Sequence, residues 1–121
     1  MKKIFLTFTI IFTLSPQVIY AGETIIDCGI SRLNYKLDFK SEVVTNIYHK
    51  SLKSDRKWIK INNSNIISRT YPEIIFKFNT TKGDRVLIAF DKNTITGDEY
   101  PNVYYYNSEN GNEVVNSCKF G

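Results

Sequence analysis

The 121-residue sequence is poor in the residues that metal and cofactor sites require. It has one histidine, His49, two cysteines and six glycines. One histidine and two widely separated cysteines do not supply the clustered Cys/His ligands of a zinc site. The sequence also contains no glycine-rich phosphate loop and no serine in a nucleophile elbow. We therefore predict a protein that is not an enzyme and needs neither a metal nor a cofactor.

One alternative leaves enzymatic activity open, because acidic residues recur in the last third of the chain. A pair of carboxylates could act on a glycosidic or phosphodiester bond, as in a small glycosidase or nuclease. Acids in turn-forming stretches more often hydrogen-bond the backbone. We interpret these residues as structural: Asp91, Asp98, Glu99, Glu109 and Glu113.

Long apolar runs are also absent, except at the start of the chain. Residues 4–14 are apolar, follow Lys2 and Lys3, and are closed by Ser15-Pro16. This run of about eleven residues is too short to cross roughly 30 Å of hydrocarbon as a helix. A basic start, an apolar centre and Ala21 at the cleavage point are typical of a signal peptide. We predict a signal peptide over residues 1–21, no membrane span, one domain over residues 22–121, and a periplasmic or secreted location of the Gram-negative type.

The two cysteines lie near the two ends of the predicted domain, at Cys28 and Cys118. Two cysteines allow one pairing, and export provides the oxidising compartment in which a disulfide persists. A domain of about one hundred residues buries a modest core, so a covalent link between its ends would add stability. We predict a Cys28–Cys118 disulfide.

Hydrophobic periodicity indicates an all-β protein. Apolar residues alternate with polar ones over 33–40, and a second alternating pair of segments flanks Lys82-Gly83-Asp84. Asn110-Gly111 is a strong hairpin signal. We predict a small antiparallel β-barrel, or a sandwich, of about eight strands closed by the terminal disulfide. Its core should include Leu33, Leu37, Phe76, Phe78, Ile88 and Phe90.

Residues 41–52 are ambiguous between helix and strand. Val44, Tyr48 and Leu52 have helical spacing, but the segment is rich in β-branched residues, which favour a strand. We interpret it as a strand.

Two surface features have alternative explanations. Basic residues concentrate at Lys50, Lys53, Arg56, Lys57 and Lys60, where they could bind an acidic partner. The favoured interpretation is a solvated face that maintains solubility, so nucleic acid is not an expected ligand.

Strand alternation places Tyr105 opposite Tyr104 and Tyr106, so at least one ring is exposed. Such rings could stack on sugars, although the favoured explanation is that they fill space at the ends of the barrel.

A resemblance to a known family rests on two short motifs. Residues 68–71, Ser-Arg-Thr-Tyr, are followed by a strand and then by Lys-Gly-Asp at residues 82–84. This layout resembles the periplasmic and membrane-bound inhibitors of C-type lysozyme of Gram-negative bacteria, which carry Ser-Gly-x-x-Tyr, a strand and Lys-Gly-Asp. The sequence departs from that pattern in having Arg69 in place of glycine and Tyr71 one position early.

The resemblance implies a small antiparallel β-barrel and a protein partner. It implies that Ser68 and Lys82 contact the catalytic carboxylates of lysozyme, with Arg69, Tyr71 and Asp84 in the same two loops. The Ser-to-Lys spacing further predicts that both side chains lie at one end of the barrel. Two other binding functions stay open: an immunity-type protein that neutralises an exported bacterial toxin, and a module that binds glycans or the cell envelope.

Overall fold

The computed structural model describes residues 22–51 and 57–121. The signal-peptide prediction, Leu52 and the basic residues Lys53 and Arg56 therefore lie outside the described residues. Within them the chain forms ten strands, and all the strand pairs are antiparallel. The strands are β1 (Gly22–Asp27), β2 (Leu33–Lys40), β3 (Val43–Ser51), β4 (Ile59–Lys60), β5 (Ile66–Ser68), β6 (Glu73–Lys77), β7 (Arg85–Lys92), β8 (Glu99–Tyr106), β9 (Glu113–Ser117) and β10 (Lys119–Phe120).

The strands form two five-stranded sheets, in the orders β10-β1-β2-β3-β4 and β5-β6-β7-β8-β9. The chain passes from one sheet to the other twice, between β4 and β5 and between β9 and β10. Just after the first crossing and β5, the carbonyl of Arg69 accepts from the Val44 N–H of the other sheet (2.7 Å). At the second crossing the Cys118 N–H donates to the carbonyl of Pro101 (3.1 Å). The all-β sandwich or barrel prediction is confirmed. There are ten strands where about eight were predicted, and three of them, β4, β5 and β10, are only two or three residues long.

The predicted disulfide is present and lies at one of these crossings. Cys28 follows β1, and Cys118 separates β9 from β10; their sulfurs are 2.04 Å apart. The interpretation of residues 41–52 as a strand is confirmed for Val43–Ser51. No helix in the described ranges has the length and hydropathy needed to cross a bilayer.

One apolar core fills the space between the sheets. Leu37, Phe76, Ile88 and Phe90 are buried as predicted, whereas Leu33 and Phe78 are half-buried at its margin. Aromatic rings connect the two sheets: the Tyr35 and Phe76 ring centroids are 5.8 Å apart, and those of Phe39 and Phe90 are 6.1 Å apart. Strand alternation therefore identified the buried face correctly but not where that face meets solvent.

The β8–β9 hairpin forms at Asn110-Gly111, but through a longer loop than the motif suggests. The loop is closed by the Asn107 N–H, which donates to the carbonyl of Asn112 (2.9 Å). The Asn107 side-chain oxygen accepts from the backbone N–H groups of Glu109 (2.9 Å) and Asn110 (3.2 Å). Gly111 has a positive φ of 76° and Asn110 does not, whereas a two-residue type I′ turn requires both. Asn107 therefore organises the turn.

Two tyrosines form the polar centre of the core. The hydroxyls of Tyr35 and Tyr105 are 2.7 Å apart and hydrogen-bonded, and both side chains are almost fully buried. Burial is the main cause that raises the pKa of each phenol above its ordinary value. Both hydroxyls therefore stay protonated at neutral pH, and each is the polar contact of the other across the sheets.

We expect Tyr35→Phe to lower the free energy of unfolding by about 1–3 kcal/mol, because it leaves the Tyr105 hydroxyl buried without this partner. The double variant Tyr35→Phe/Tyr105→Phe should cost less than the sum of the two single variants, because neither hydroxyl remains to be satisfied. Urea unfolding of the four proteins measures this coupling. Strictly additive losses would show that the two hydroxyls do not depend on each other.

Candidate functional site

The structure separates the two residues to which the resemblance gives the main roles. Ser68 ends β5 and pairs with Ile75 in the middle of β6, whereas Lys82 lies in the turn beyond the end of β6. The expectation that both side chains lie at one end of the barrel is wrong, because a single strand between two residues carries the chain from one end towards the other. The turn that holds Lys82 projects about five residues, or roughly 17 Å, beyond Ile75.

The Ser68 side of the predicted site is engaged in internal contacts. The Ser68 hydroxyl donates to the carbonyl of Glu73 at 3.3 Å. The Tyr71 hydroxyl donates to the Glu99 carboxylate, and the Tyr71 ring lies 5.3 Å from that of Phe90. These contacts hold the β5–β6 turn against the neighbouring β7–β8 hairpin.

Arg69 fixes the same turn to the other sheet. Its guanidinium donates to the carbonyls of Val44 (3.1 Å), Thr45 (3.3 Å) and Asn63 (3.2 Å). A glycine at this position could make none of these side-chain bonds. The departure from the family pattern therefore has a structural role here, which is to tie β3 to the crossing segment.

The Lys82 turn is rigid for reasons that can be read from its sequence. The Thr80 hydroxyl oxygen accepts from the backbone N–H groups of Lys82 and Gly83, both at 3.1 Å, as threonine does in tight turns. A Cβ on residue 83 would lie 2.5 Å from the carbonyl oxygen of Tyr106, so only glycine fits. The Thr-x-Lys-Gly sequence therefore presents Lys82 from a backbone that is held in place.

Asp84 braces this turn from the other side. Its carboxylate accepts from the backbone N–H (2.9 Å) and the hydroxyl of Ser108 in the β8–β9 loop. These hydrogen bonds are the main cause that lowers the pKa of Asp84 below its ordinary value. Asp84 therefore stays ionised and joins two loops.

Lys82 and Arg32 line a small cationic cleft of about 110 Å³. The Lys82 ammonium lies 5.4 Å from the centroid of the Tyr105 ring, which forms part of the cleft. Three hydroxyl side chains complete the polar lining: Ser31, Thr80 and Thr81. Neither cation forms an ion pair with another residue in the described part of the chain. Two positive charges beside several hydroxyl groups are suited to binding a carboxylate.

Sequence reasoning missed Arg32 because fifty residues separate it from Lys82. Its turn, between β1 and β2, reaches the Lys82 turn only because the two sheets pack face to face. The pattern of one strand gives no information about which loop of the other sheet will lie beside it. In the described residues, no group of three or more His, Cys, Asp or Glu is arranged to hold a metal ion.

No protein-family model, curated protein or solved structure matches this chain. The resemblance to the lysozyme inhibitors stays a prediction.

Proposed function

We propose that the protein is an exported, non-enzymatic binding protein that inhibits a C-type lysozyme. The observation that carries the proposal is the placement of Lys82 at a braced hairpin tip, beside Arg32, in a cleft with no internal carboxylate partner among the described residues. A braced tip has little conformational freedom to lose on binding, which favours affinity.

The chemistry of the proposed target fits this tip. A retaining glycosidase cleft holds two carboxyl groups close together, one protonated and one ionised. A lysine ammonium can pair with the ionised group and donate a hydrogen bond to the other. The cationic cleft would replace the water that solvates these groups, and the hydroxyl of Thr81 could satisfy a remaining acceptor. The Thr80 hydroxyl is not available for this, because it donates to the carbonyl of Gly83 at 2.9 Å.

Long-range electrostatics oppose the encounter. Without the predicted signal peptide the chain loses Lys2 and Lys3, keeps 14 basic and 12 acidic residues, and has a formal charge of +2. The segment from Arg32 to Arg85 is the most basic part, with 12 basic and 5 acidic residues. C-type lysozymes are generally basic, so the two proteins should repel each other at a distance. Affinity then has to come from local pairing and shape, and should depend strongly on Lys82.

We expect Lys82→Ala to weaken lysozyme inhibition at least about thirtyfold, because removing one partner of a buried charge pair typically costs 2–5 kcal/mol. Lys92→Ala is the matched control, since Lys92 is exposed at the opposite end of β7. A lysis assay over a concentration series of each variant gives the inhibition constants. Equal inhibition by the two variants would show that the Lys82 tip is not the contact.

Ser68→Ala separates this proposal from the two-residue scheme that the resemblance implies. If Ser68 contacted the same carboxylates, its loss would cost about 1–2 kcal/mol, or roughly five- to thirtyfold in inhibition. From its position beside Ile75 we expect a change of less than about twofold. If the wild-type protein at micromolar concentration leaves lysozyme active, the immunity-type function takes precedence and the glycan-binding alternative follows.

A further inference from the structure

An apolar stripe crosses the outer face of the second sheet. Its central members are direct cross-strand neighbours: Ile75 pairs with Leu87, Leu87 with Tyr104, and Tyr104 with Val115. The irregular pairing of β5 adds Ile67 next to Ile75. We define the apolar stripe as Ile67, Ile75, Leu87, Tyr104 and Val115. It reaches across all five strands.

The stripe faces away from the core. Val86 and Ile88, on either side of Leu87, are fully buried, as are Ile74 and Phe76 on either side of Ile75. The two ends of the stripe are the most accessible, with Ile67 50% and Val115 49% exposed. Continuous apolar surfaces of this kind with a polar rim mark protein–protein contacts more often than isolated exposed residues do.

The charged rim has a symmetry that indicates the partner. On β6 the stripe residue Ile75 lies midway between Glu73 and Lys77, and both of these side chains are exposed. A twofold axis along the stripe would place the Lys77 of one copy over the Glu73 of the other, twice in each dimer. It would also place each stripe residue against its own counterpart, which is the property of an isologous interface.

We propose that the apolar stripe is a dimerisation surface and that its occupant is a second copy of this chain. Face-to-face packing of two such sheets would bury the stripe of both copies. Lys77 and Glu73 form no ion pair with other residues of the described ranges, so both are available to the second copy. The proposal is independent of lysozyme binding.

The size of the face sets the expected strength of the dimer. Five strands, which are three to eight residues long and spaced about 4.8 Å apart, cover roughly 300–500 Å² in projection. Stable interfaces bury about 800 Å² of each partner. We therefore expect a weak dimer that forms at high protein concentration and dissociates on dilution.

Charge reversal tests the arrangement directly. We expect Lys77→Glu and Glu73→Lys each to raise the dimer dissociation constant at least about tenfold, because each places two like charges opposite one another twice. The double variant Lys77→Glu/Glu73→Lys restores opposite charges across the twofold axis, and its dissociation constant should return to within about threefold of wild type. Within one molecule the two side chains are about 14 Å apart along β6, beyond the Debye length of roughly 8 Å. Rescue therefore reports contact between molecules.

Sedimentation equilibrium of the purified, disulfide-bonded protein up to millimolar concentration supplies the dissociation constants. Lys60→Glu, on the other sheet, carries the same charge change and should leave dimerisation unchanged. Leu87→Lys should abolish the dimer while circular dichroism remains that of the wild type. A wild-type protein that stays monomeric at millimolar concentration overturns the proposal, as does a double variant that is no tighter than the single ones.

Discussion

Replacing Cys28 and Cys118 together by alanine should lower the free energy of unfolding by about 3–5 kcal/mol. The disulfide closes a loop with a sequence separation of 90 residues, and in the chain-entropy model such a loop is worth about 4–5 kcal/mol. It also fixes the crossing between β9 and β10 to the end of β1. Since small domains have total stabilities of about 5–15 kcal/mol, this single bond should decide whether the fold persists at elevated temperature.

Urea denaturation of the oxidised wild type, the reduced wild type and the double variant measures the effect. The reduced wild type keeps both cysteine side chains, so it separates the loss of the cross-link from the loss of side-chain volume at Cys28, which is 7% exposed. Agreement between the reduced protein and the double variant would assign the loss to the cross-link. A difference below about 1 kcal/mol from the oxidised protein would contradict the loop-closure argument.

The features that could be predicted from the sequence are those that neighbouring residues determine or for which only one arrangement is possible. Two cysteines leave one pairing, and alternation over residues 33–40 leaves one buried face, so both predictions are confirmed. Residues 41–52 were ambiguous between helix and strand, and the interpretation as a strand is confirmed over Val43–Ser51. The β-branched side chains favour the strand over the weak helical spacing.

The features that could not be predicted depend on contacts between distant segments. Arg32 lies beside Lys82 because the two sheets pack against each other. Ser68 lies apart from Lys82 because β6 runs between the two residues. The apolar stripe depends on the register of β6 to β9, which alternation within one strand does not give. In the β8–β9 loop the Asn107 side chain overrides the turn that Asn110-Gly111 predicts on its own.

The two proposed surfaces are geometrically compatible. A twofold axis along the apolar stripe is perpendicular to the strands, so the strands of the two copies run in opposite directions. The Lys82 tips at the ends of the β6–β7 hairpins would then point away from each other. Each tip would stay accessible, and a dimer could hold two target molecules with no overlap between the sites.

Phe76→Ala should lower the free energy of unfolding by about 3–5 kcal/mol, the usual cost of removing a buried aromatic ring. Phe76 is fully buried, and its ring centroid lies 5.8 Å from that of Tyr35 in the opposite sheet. Its loss would leave a cavity between the sheets beside the Tyr35–Tyr105 hydrogen bond, and the rigid strands on both sides limit how far the core can collapse into it.

Phe78→Ala is the matched control, because it removes the same atoms two residues further along the chain. Phe78 is half-buried and its ring centroid lies 4.6 Å from that of His49 at the margin of the core, so water can occupy much of the space that its ring leaves. We expect a loss of about half that of Phe76→Ala, with both measured by urea denaturation of the oxidised protein. If Phe78→Ala were as costly as Phe76→Ala, the core would extend to the hairpin end and the Lys82 turn would be part of it. A smaller loss leaves that turn as a rigid projection beyond the core, which is the arrangement that the proposed contact with lysozyme requires.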